Sequence, residues 1–107
     1  MSKTKITDKE YKRFEGIIYK LWYILKFGQD RYVRLPDKEI TSIKDSLTRL
    51  KVERPREADI LVRHYIHHVY YTTIAREQGV SEGYIRKLAK NGAYYFLKLY
   101  DDWQAKE

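Results

Sequence analysis

The sequence predicts an all-α protein, a compact bundle of about five helices with a C-terminal helix-turn-helix and a long final helix. Apolar residues recur at three- and four-residue spacing over most of the 107 residues, which is the period of one helix face. Capping residues and glycines separate these periodic segments, and no stretch alternates as a strand does. We therefore expect a single domain, 1–107, with a helical scaffold or assembly region at 1–54 and a helix-turn-helix region at 55–107.

The first helix is predicted to begin at a cap supplied by Thr7 or Asp8 and to end near Phe27, where Gly28 is a good terminator. Its apolar residues form a wide stripe: Tyr11, Phe14, Ile18, Leu21, Trp22 and Leu25. The stripe either forms the core against the second and third helices or provides, in part, a surface for a homodimer or another partner. A connector over 28–36 follows it.

The second helix is predicted to begin at Asp37, with Ile40, Ile43, Leu47 and Leu50 on one face. Residues 53–55 interrupt the pattern, because the residue before a proline is biased away from the α region. Pro55 suits the first turn of a third helix. The apolar residues of that helix are expected to be Ala58, Leu61, Tyr65, Ile66 and Val69.

A short fourth helix at 71–78 and a long fifth helix at 82–104 complete the predicted bundle. The buried side of the fifth helix is expected to carry Ile85, Leu88, Ala89, Tyr95, Phe96, Leu99 and Trp103. Gly92 lies in the middle of this helix, where glycine costs ~1 kcal/mol relative to alanine. We expect it either to permit close helix packing or to mark a bend.

Residues 71–92 carry the most informative pattern of the chain. Ala75 is a small residue where two helices would cross, Gly79 supplies the turn, and Ser81 can cap the second helix. Ile85 and Leu88 then point back inward, which together predicts a helix-turn-helix. Gln78 departs from the pattern, because this position is often apolar in such motifs. The alternative is an ordinary helical hairpin with a glycine turn.

The composition favours a polyanionic partner. The net charge is +7, with 12 Lys and Arg against 7 Asp and Glu in residues 1–50, and 10 against 8 in residues 51–107. Basicity is thus a property of the whole chain, and a merely solubilising basic surface is the alternative. The absence of cysteine excludes disulfides and thiolate metal sites and suits a reducing cytoplasm. The polar N-terminus predicts no signal peptide, and the longest apolar run, 17–27, is too short to span a membrane.

The segment 58–100 resembles region four of bacterial sigma factors, and still more the small phage transcriptional regulators of the ArpU, RinA and antiterminator-Q type. The residues that carry the resemblance are Leu61, Tyr65, Ile74-Ala75, Gly79-Val80-Ser81 and Tyr84-Ile85-Arg86. It covers somewhat less than half of the chain. It implies a phage- or prophage-encoded regulator of late or packaging genes, acting on double-stranded DNA in the bacterial cytoplasm.

By this resemblance, the positions that meet DNA are Ser81, Glu82, Tyr84, Arg86 and Lys87. Arg86 or Lys87 is suited to guanine edges in the major groove, and Glu82 either accepts from cytosine N4 or favours the positive helix N-terminus. Lys90 and Asn91 continue the outward face. The residues better placed for phosphates are Thr72, Thr73 and Arg76.

Other constellations are discounted. His64 and His68 share a helix face at a spacing that zinc can use, but no cysteine accompanies them and Asp59 lies off that face. We expect His64, His67 and His68 to form a polar helix end beside the motif, and we expect no metal and no cofactor. Because no nucleophile–base set or phosphate loop is evident, we do not expect an enzyme.

Two alternatives to sequence-specific DNA binding stay open. A sigma-like fold can bind protein, such as RNA polymerase or a host factor, through the first helix. A basic helix with tyrosines can also stack on and pair with RNA in antitermination. If the chain binds DNA as a homodimer through its N-terminal helices, the two reading helices would lie one DNA turn apart, ~34 Å, and the site would be an inverted repeat.

Overall fold

The computed structural model describes residues 6–29 and 34–106. These residues form α1 (Asp8–Phe27), α2 (Asp37–Glu53), α3 (Pro55–Leu61), a π-helical turn (Val62–Ile66), α4 (Tyr71–Gln78) and α5 (Glu82–Ala105). No strand occurs within the described ranges, so the prediction of an all-α bundle of about five helices is confirmed. Residues 30–33 of the predicted connector lie outside the described residues. Among the described helices, none combines the length and apolar character needed to cross a bilayer.

Both ends of α1 follow the sequence prediction. The Thr7 backbone N–H donates to Glu10 Oε1 at 2.9 Å, and the Glu10 N–H donates to Thr7 Oγ1 at 3.1 Å, which is a reciprocal capping box. At the other end Gly28 has φ 75°, and its N–H donates to the Ile24 carbonyl oxygen at 2.9 Å. Local sequence therefore fixes where α1 starts and stops.

The long helix α5 lies at the centre of the bundle and packs against the other four helices. Its Phe96 and the Phe14 ring of α1 are fully buried and meet edge to face, with centroids 5.3 Å apart. Further fully buried side chains surround them: Ile18, Ile43, Leu50, Ile60, Leu61, Ile74 and Ile85. Burying each side chain of this size contributes ~1.5–3 kcal/mol, so this layer dominates the stability of the fold.

Gly92 permits the close contact between α3 and α5. A Cβ atom at this position would lie 3.0 Å from Glu57 Cβ and 3.0 Å from Leu61 Cδ1. Such separations are shorter than van der Waals contact, so only glycine fits without displacing α3. Of the two roles predicted for Gly92, close packing is therefore the one that is confirmed.

The predicted third helix is wrong in its C-terminal half. The α-helix ends at Leu61 and continues as the π turn, in which the His67 N–H donates to the Val62 carbonyl oxygen five residues back, at 3.2 Å. A π turn accommodates one more residue than an α turn, which apolar periodicity does not reveal. His68 then adopts a left-handed backbone with φ 58°, so Val69 lies outside the helix in the connection to α4.

Part of the predicted apolar stripe is exposed. Phe14, Ile18 and Leu21 are buried, but Leu25 is 55 % exposed and borders an open groove between α1, α2 and the π turn. The reason is that no described side chain fills this groove. On α5, three residues expected to be buried, Tyr95, Leu99 and Trp103, are only half-buried at the edge of the α2 contact.

Candidate nucleic-acid interface

The turn between α4 and α5 has the geometry that the glycine predicted. Gly79 is left-handed, with φ 67° and ψ 34°, and a Cβ there would have no neighbour within 4 Å, so backbone conformation rather than space requires glycine. The Gly79 N–H donates to the Arg76 carbonyl at 3.3 Å, and the Val80 N–H donates to the Ala75 carbonyl at 3.0 Å. This pair of bonds is the Schellman motif, which ends α4 sharply.

The inner faces of the two helices also match the sequence prediction. Ile74 and Ile85 are fully buried, Ala75 and Leu88 nearly so, and Val80 fills the angle between the helices at half burial. Ser81 caps α5 by accepting from the Tyr84 N–H at 3.1 Å. These contacts hold α5 at a fixed angle to α4, with its remaining face at the surface.

The ten predicted interface residues all lie on the surface side of the motif. Thr72, Arg76, Ser81, Tyr84 and Arg86 are exposed. The half-buried ones are Thr73, Glu82, Lys87, Lys90 and Asn91. The motif thus brings a short polar α4 face and a basic α5 face together, and none of the ten is withdrawn into the core.

Arg86 is already engaged on both sides. Its Nε donates to Glu82 Oε2 at 2.8 Å one helical turn back, and its guanidinium carbon lies 4.8 Å from the centroid of the Tyr71 ring. The hydrogen bond that Arg86 donates to Glu82 raises the pKa of Arg86 above its ordinary value. In the free chain Glu82 therefore pairs with Arg86, a contact that neither predicted alternative included.

A network of tyrosine hydroxyls, missed by sequence reasoning, supports the start of α4. We call Tyr11, Glu15, Tyr65 and Tyr71 the tyrosine junction. The Tyr65 hydroxyl donates to Glu15 Oε2 at 2.8 Å, so its lone pairs accept from Tyr11 at 2.6 Å and from Tyr71 at 3.4 Å. Burial, followed by the hydrogen bond with Tyr11, raises the pKa of both Tyr65 and Tyr71, which keeps these hydroxyls neutral.

His64, one of the three histidines expected at a polar helix end beside the motif, also belongs to this support. Its ring stacks on Tyr71 with centroids 3.6 Å apart, and its Nδ1 lies 2.8 Å from the Val69 carbonyl oxygen. A carbonyl can only accept, so Nδ1 carries the proton of the neutral ring. Burial lowers the pKa of His64, and the nearby Arg86 lowers it further.

Two arginines outside the predicted set also border α5. Arg56 donates from Nε and Nη2 to Gln78 Oε1 at 3.1 and 2.8 Å and lies 5.3 Å from the Tyr84 ring centroid. Arg54 lies 3.9 Å from the centroid of the Tyr95 ring. These contacts explain why a polar residue occupies position 78, because its amide holds Arg56 against the motif. The polar residue before the turn was the signal that could have revealed this.

Comparisons with protein-family models, with curated proteins and with solved structures find no match for this chain. The resemblance of residues 58–100 to sigma region four thus stays a prediction from the sequence.

Proposed function

We propose that this chain is a sequence-specific regulator of transcription that binds double-stranded DNA with the α4–turn–α5 motif. The single observation that carries the proposal is the fixed presentation of a basic helix. A left-handed glycine turn and a serine cap fix the N-terminal part of α5 so that one of its faces lies at the surface, with Arg86, Lys87 and Lys90 on that outer side. A helix presented in this way fits the major groove with its N-terminal residues at the base edges.

The surface residues divide into two roles in this proposal. Arg86 and Lys87 read base edges, supported by Ser81, Tyr84 and Asn91, since a guanidinium can bond bidentately to guanine. Thr72, Thr73 and Arg76 on α4 bond phosphates and so fix the register of the motif on the duplex. The net charge of +7 adds attraction that does not depend on sequence. The resemblance described above favours a phage or prophage regulator acting in the bacterial cytoplasm.

The test is a selection of duplexes from a random library, followed by fluorescence anisotropy of the selected and a scrambled duplex at several salt concentrations. We expect the selected duplex to bind at least ~1000-fold more tightly than the scrambled one, with a steep salt slope. The Arg86→Ala/Lys87→Ala variant should lose this preference. Equal binding of both duplexes by both proteins would refute the proposal.

A second candidate function, docking onto a protein, is favoured by the groove beside Leu25. The groove is lined by the apolar residues Leu21, Leu25, Leu47, Val62 and Ile66 and flanked by Lys44 and Lys51, with a volume of about 300 Å³. Apolar walls with two cations at the rim fit an amphipathic segment that carries acidic residues. RNA polymerase is the first partner to test.

The two candidate functions separate by mutation. In a titration of labelled protein with RNA polymerase, Leu25→Asp should abolish binding, because it places a carboxylate in the apolar groove. Arg86→Ala/Lys87→Ala should bind the polymerase as the unaltered chain does. Saturable binding that is insensitive to Leu25→Asp would rule out this groove as the polymerase site.

A further inference from the structure

We propose that an aromatic groove on the other side of α1 binds an unpaired nucleobase of a single-stranded polynucleotide. The groove lies between the C-terminal half of α1 and the segment that links the π turn to α4, and it has a volume of about 320 Å³. Rings dominate its walls: Tyr19, Trp22, His64, His68 and Tyr70. This volume is at the lower end for small-molecule sites and suits one or two planar rings.

The rings of Tyr19 and Trp22 form an aromatic platform, and the ring of His68 stands upright beside it as a wall. The Trp22 ring stands nearly perpendicular to the His68 ring, at 86° and 4.9 Å between centroids, and Tyr19 lies 5.4 Å from Trp22. Tyr19 is 53 % exposed and Tyr70 is 74 % exposed, so ring surface is open to solvent at both edges of the groove. These exposed rings leave aromatic surface available to a planar ligand.

Two uncommon backbone conformations border this groove, and one of them is strained. The π turn contributes His64, and His68 sits in the left-handed region at φ 58°, which costs a residue with a Cβ atom ~1 kcal/mol or more. Both features are uncommon and concentrate at functional sites.

The charge around the groove indicates which class of ring-bearing molecule would bind there. Lys26 Nζ lies 5.7 Å from the Trp22 ring centroid and 5.8 Å from that of Phe27, so a cation borders the aromatic surface, and the whole chain carries +7. A ring attached to a polyanion is therefore favoured over a free uncharged or cationic ring. Aromatic platforms beside a basic rim are the usual means of binding single strands, because every base has a π face.

The base must be unpaired, because a base inside a duplex is covered by its neighbours on both faces. DNA and RNA strands share this chemistry, and the platform contacts described above use the base rather than the sugar. The inference goes beyond the proposed function, since the groove is formed by α1, the π turn and its link to α4 rather than by the outer face of α5. Tyr70 directly precedes α4. A single strand bound in the aromatic groove would therefore lie beside the helix-turn-helix, close to any duplex that continues from that strand.

The test follows the fluorescence of Trp22 in a Trp103→Phe background, using oligothymidylate, oligouridylate and an abasic oligonucleotide of the same length. We expect both base-bearing strands to quench Trp22 and the abasic strand to bind weakly without quenching. Anisotropy of labelled oligothymidylate on the full chain with both tryptophans repeats the measurement independently of the background. Quenching by only one of the two base-bearing strands would restrict the site to DNA or to RNA.

Tyr70→Ala should weaken oligothymidylate binding about tenfold, ~1.4 kcal/mol, with the fold intact because the side chain is largely exposed. Val52→Ala, which truncates a side chain that is 79 % exposed on α2, is the matched control and should change nothing. Two outcomes would overturn the proposal: equal binding of abasic and base-bearing strands, or self-association of the chain that Tyr70→Ala abolishes without strand binding. The Arg86→Ala/Lys87→Ala variant should keep single-strand binding, so failure of duplex reading and failure of this groove are distinguishable.

Discussion

The helix-turn-helix and the tyrosine junction both include residues of α4, yet their contacts join residues at very different separations along the sequence. In the turn, Gly79, Val80 and Ser81 bond to residues three to five positions away. In the junction, Tyr65 bonds to Glu15 and Tyr11 across sequence separations of 50 and 54 residues. The first unit is local and can be predicted from spacing, whereas the second depends on α1 packing against the π turn, and only its Tyr71–Tyr65 bond joins residues close in sequence.

The largest expected effect comes from breaking the layer that both regions share. The Phe14 ring contacts Tyr65 and Phe96 edge to face, at 5.4 and 5.3 Å, and is fully buried. Phe14→Ala should lower the free energy of unfolding by ~3–5 kcal/mol in urea titrations, because a cavity replaces the ring. Phe27→Ala on the same helix removes a ring that is 58 % exposed and should cost far less. If Phe14→Ala costs as little free energy of unfolding as Phe27→Ala, then α1 does not form part of the core.

The next effect isolates the tyrosine junction. Tyr65→Phe keeps the ring but leaves Glu15 without its hydroxyl donor, and a hydrogen bond to a charged group contributes ~1.5–3 kcal/mol. We expect a loss of ~2 kcal/mol in the free energy of unfolding and weaker duplex binding, since Tyr71 at the start of α4 loses its bond to Tyr65 and keeps only its contact with the Tyr11 hydroxyl of α1, at 3.3 Å. Tyr70→Phe, on an exposed ring, is the control and should leave both quantities unchanged. If the two variants behave alike, the junction contributes no stability.

A smaller effect tests the local unit. Gly79→Ala places a Cβ at φ 67° and should destabilise the fold by ~1 kcal/mol. Gly16→Ala is the matched control, because that glycine lies within α1 and a Cβ there meets nothing within 4 Å. It should stabilise the fold by up to ~1 kcal/mol, since alanine is the better helix former. Opposite signs in thermal unfolding would confirm that backbone conformation, not space, makes Gly79 necessary.

This contrast explains how much the sequence could predict. Helix ends depend on neighbours a few residues apart, so Gly28, Gly79 and Ser81 were assigned correctly from spacing, and of the two predicted caps of α1, Thr7 and Asp8, Thr7 is the one that caps it. The π turn has the same apolar composition as an α-helix, and the change of hydrogen-bond partner at His67 leaves no mark on periodicity. The third helix was therefore predicted too long.

The candidate site divides in the same way. The outward face of α5 was predictable, because residues opposite Ile85 and Leu88 on a helix must face away from the core. The aromatic groove was not, because Trp22 and His68 come from segments that meet only through tertiary packing. Gln78 shows that a departure from a pattern carries information, since its amide binds Arg56 across 22 residues.

Acid should destabilise the fold through His64, whose ring stacks on Tyr71 of the junction. The pKa of His64 in the folded chain is lower than its ordinary value of 6.5, chiefly because burial disfavours the imidazolium ion. Below pH 6.5 the unfolded chain therefore binds a proton that the folded chain does not, and the free energy of unfolding should fall as the pH decreases. Urea titrations at a series of pH values should show this fall, and His64→Phe, which retains a ring against Tyr71, should remove it. An unchanged pH dependence in His64→Phe would assign it to other groups.

The smallest expected effect decides what Glu82 does. In the free chain it holds Arg86 in an exposed ion pair, and such pairs are worth ~0.2–1 kcal/mol. Glu82→Gln should release Arg86 and remove a negative charge near the phosphates, so the affinity for a selected duplex should rise about two- to fivefold. If Glu82 instead accepts from a cytosine amino group, the same variant should bind the selected duplex less tightly while its affinity for a scrambled duplex does not fall. Anisotropy with both duplexes thus separates a residue that only pairs with Arg86 from one that reads a base, because only base reading makes a loss of affinity depend on the DNA sequence.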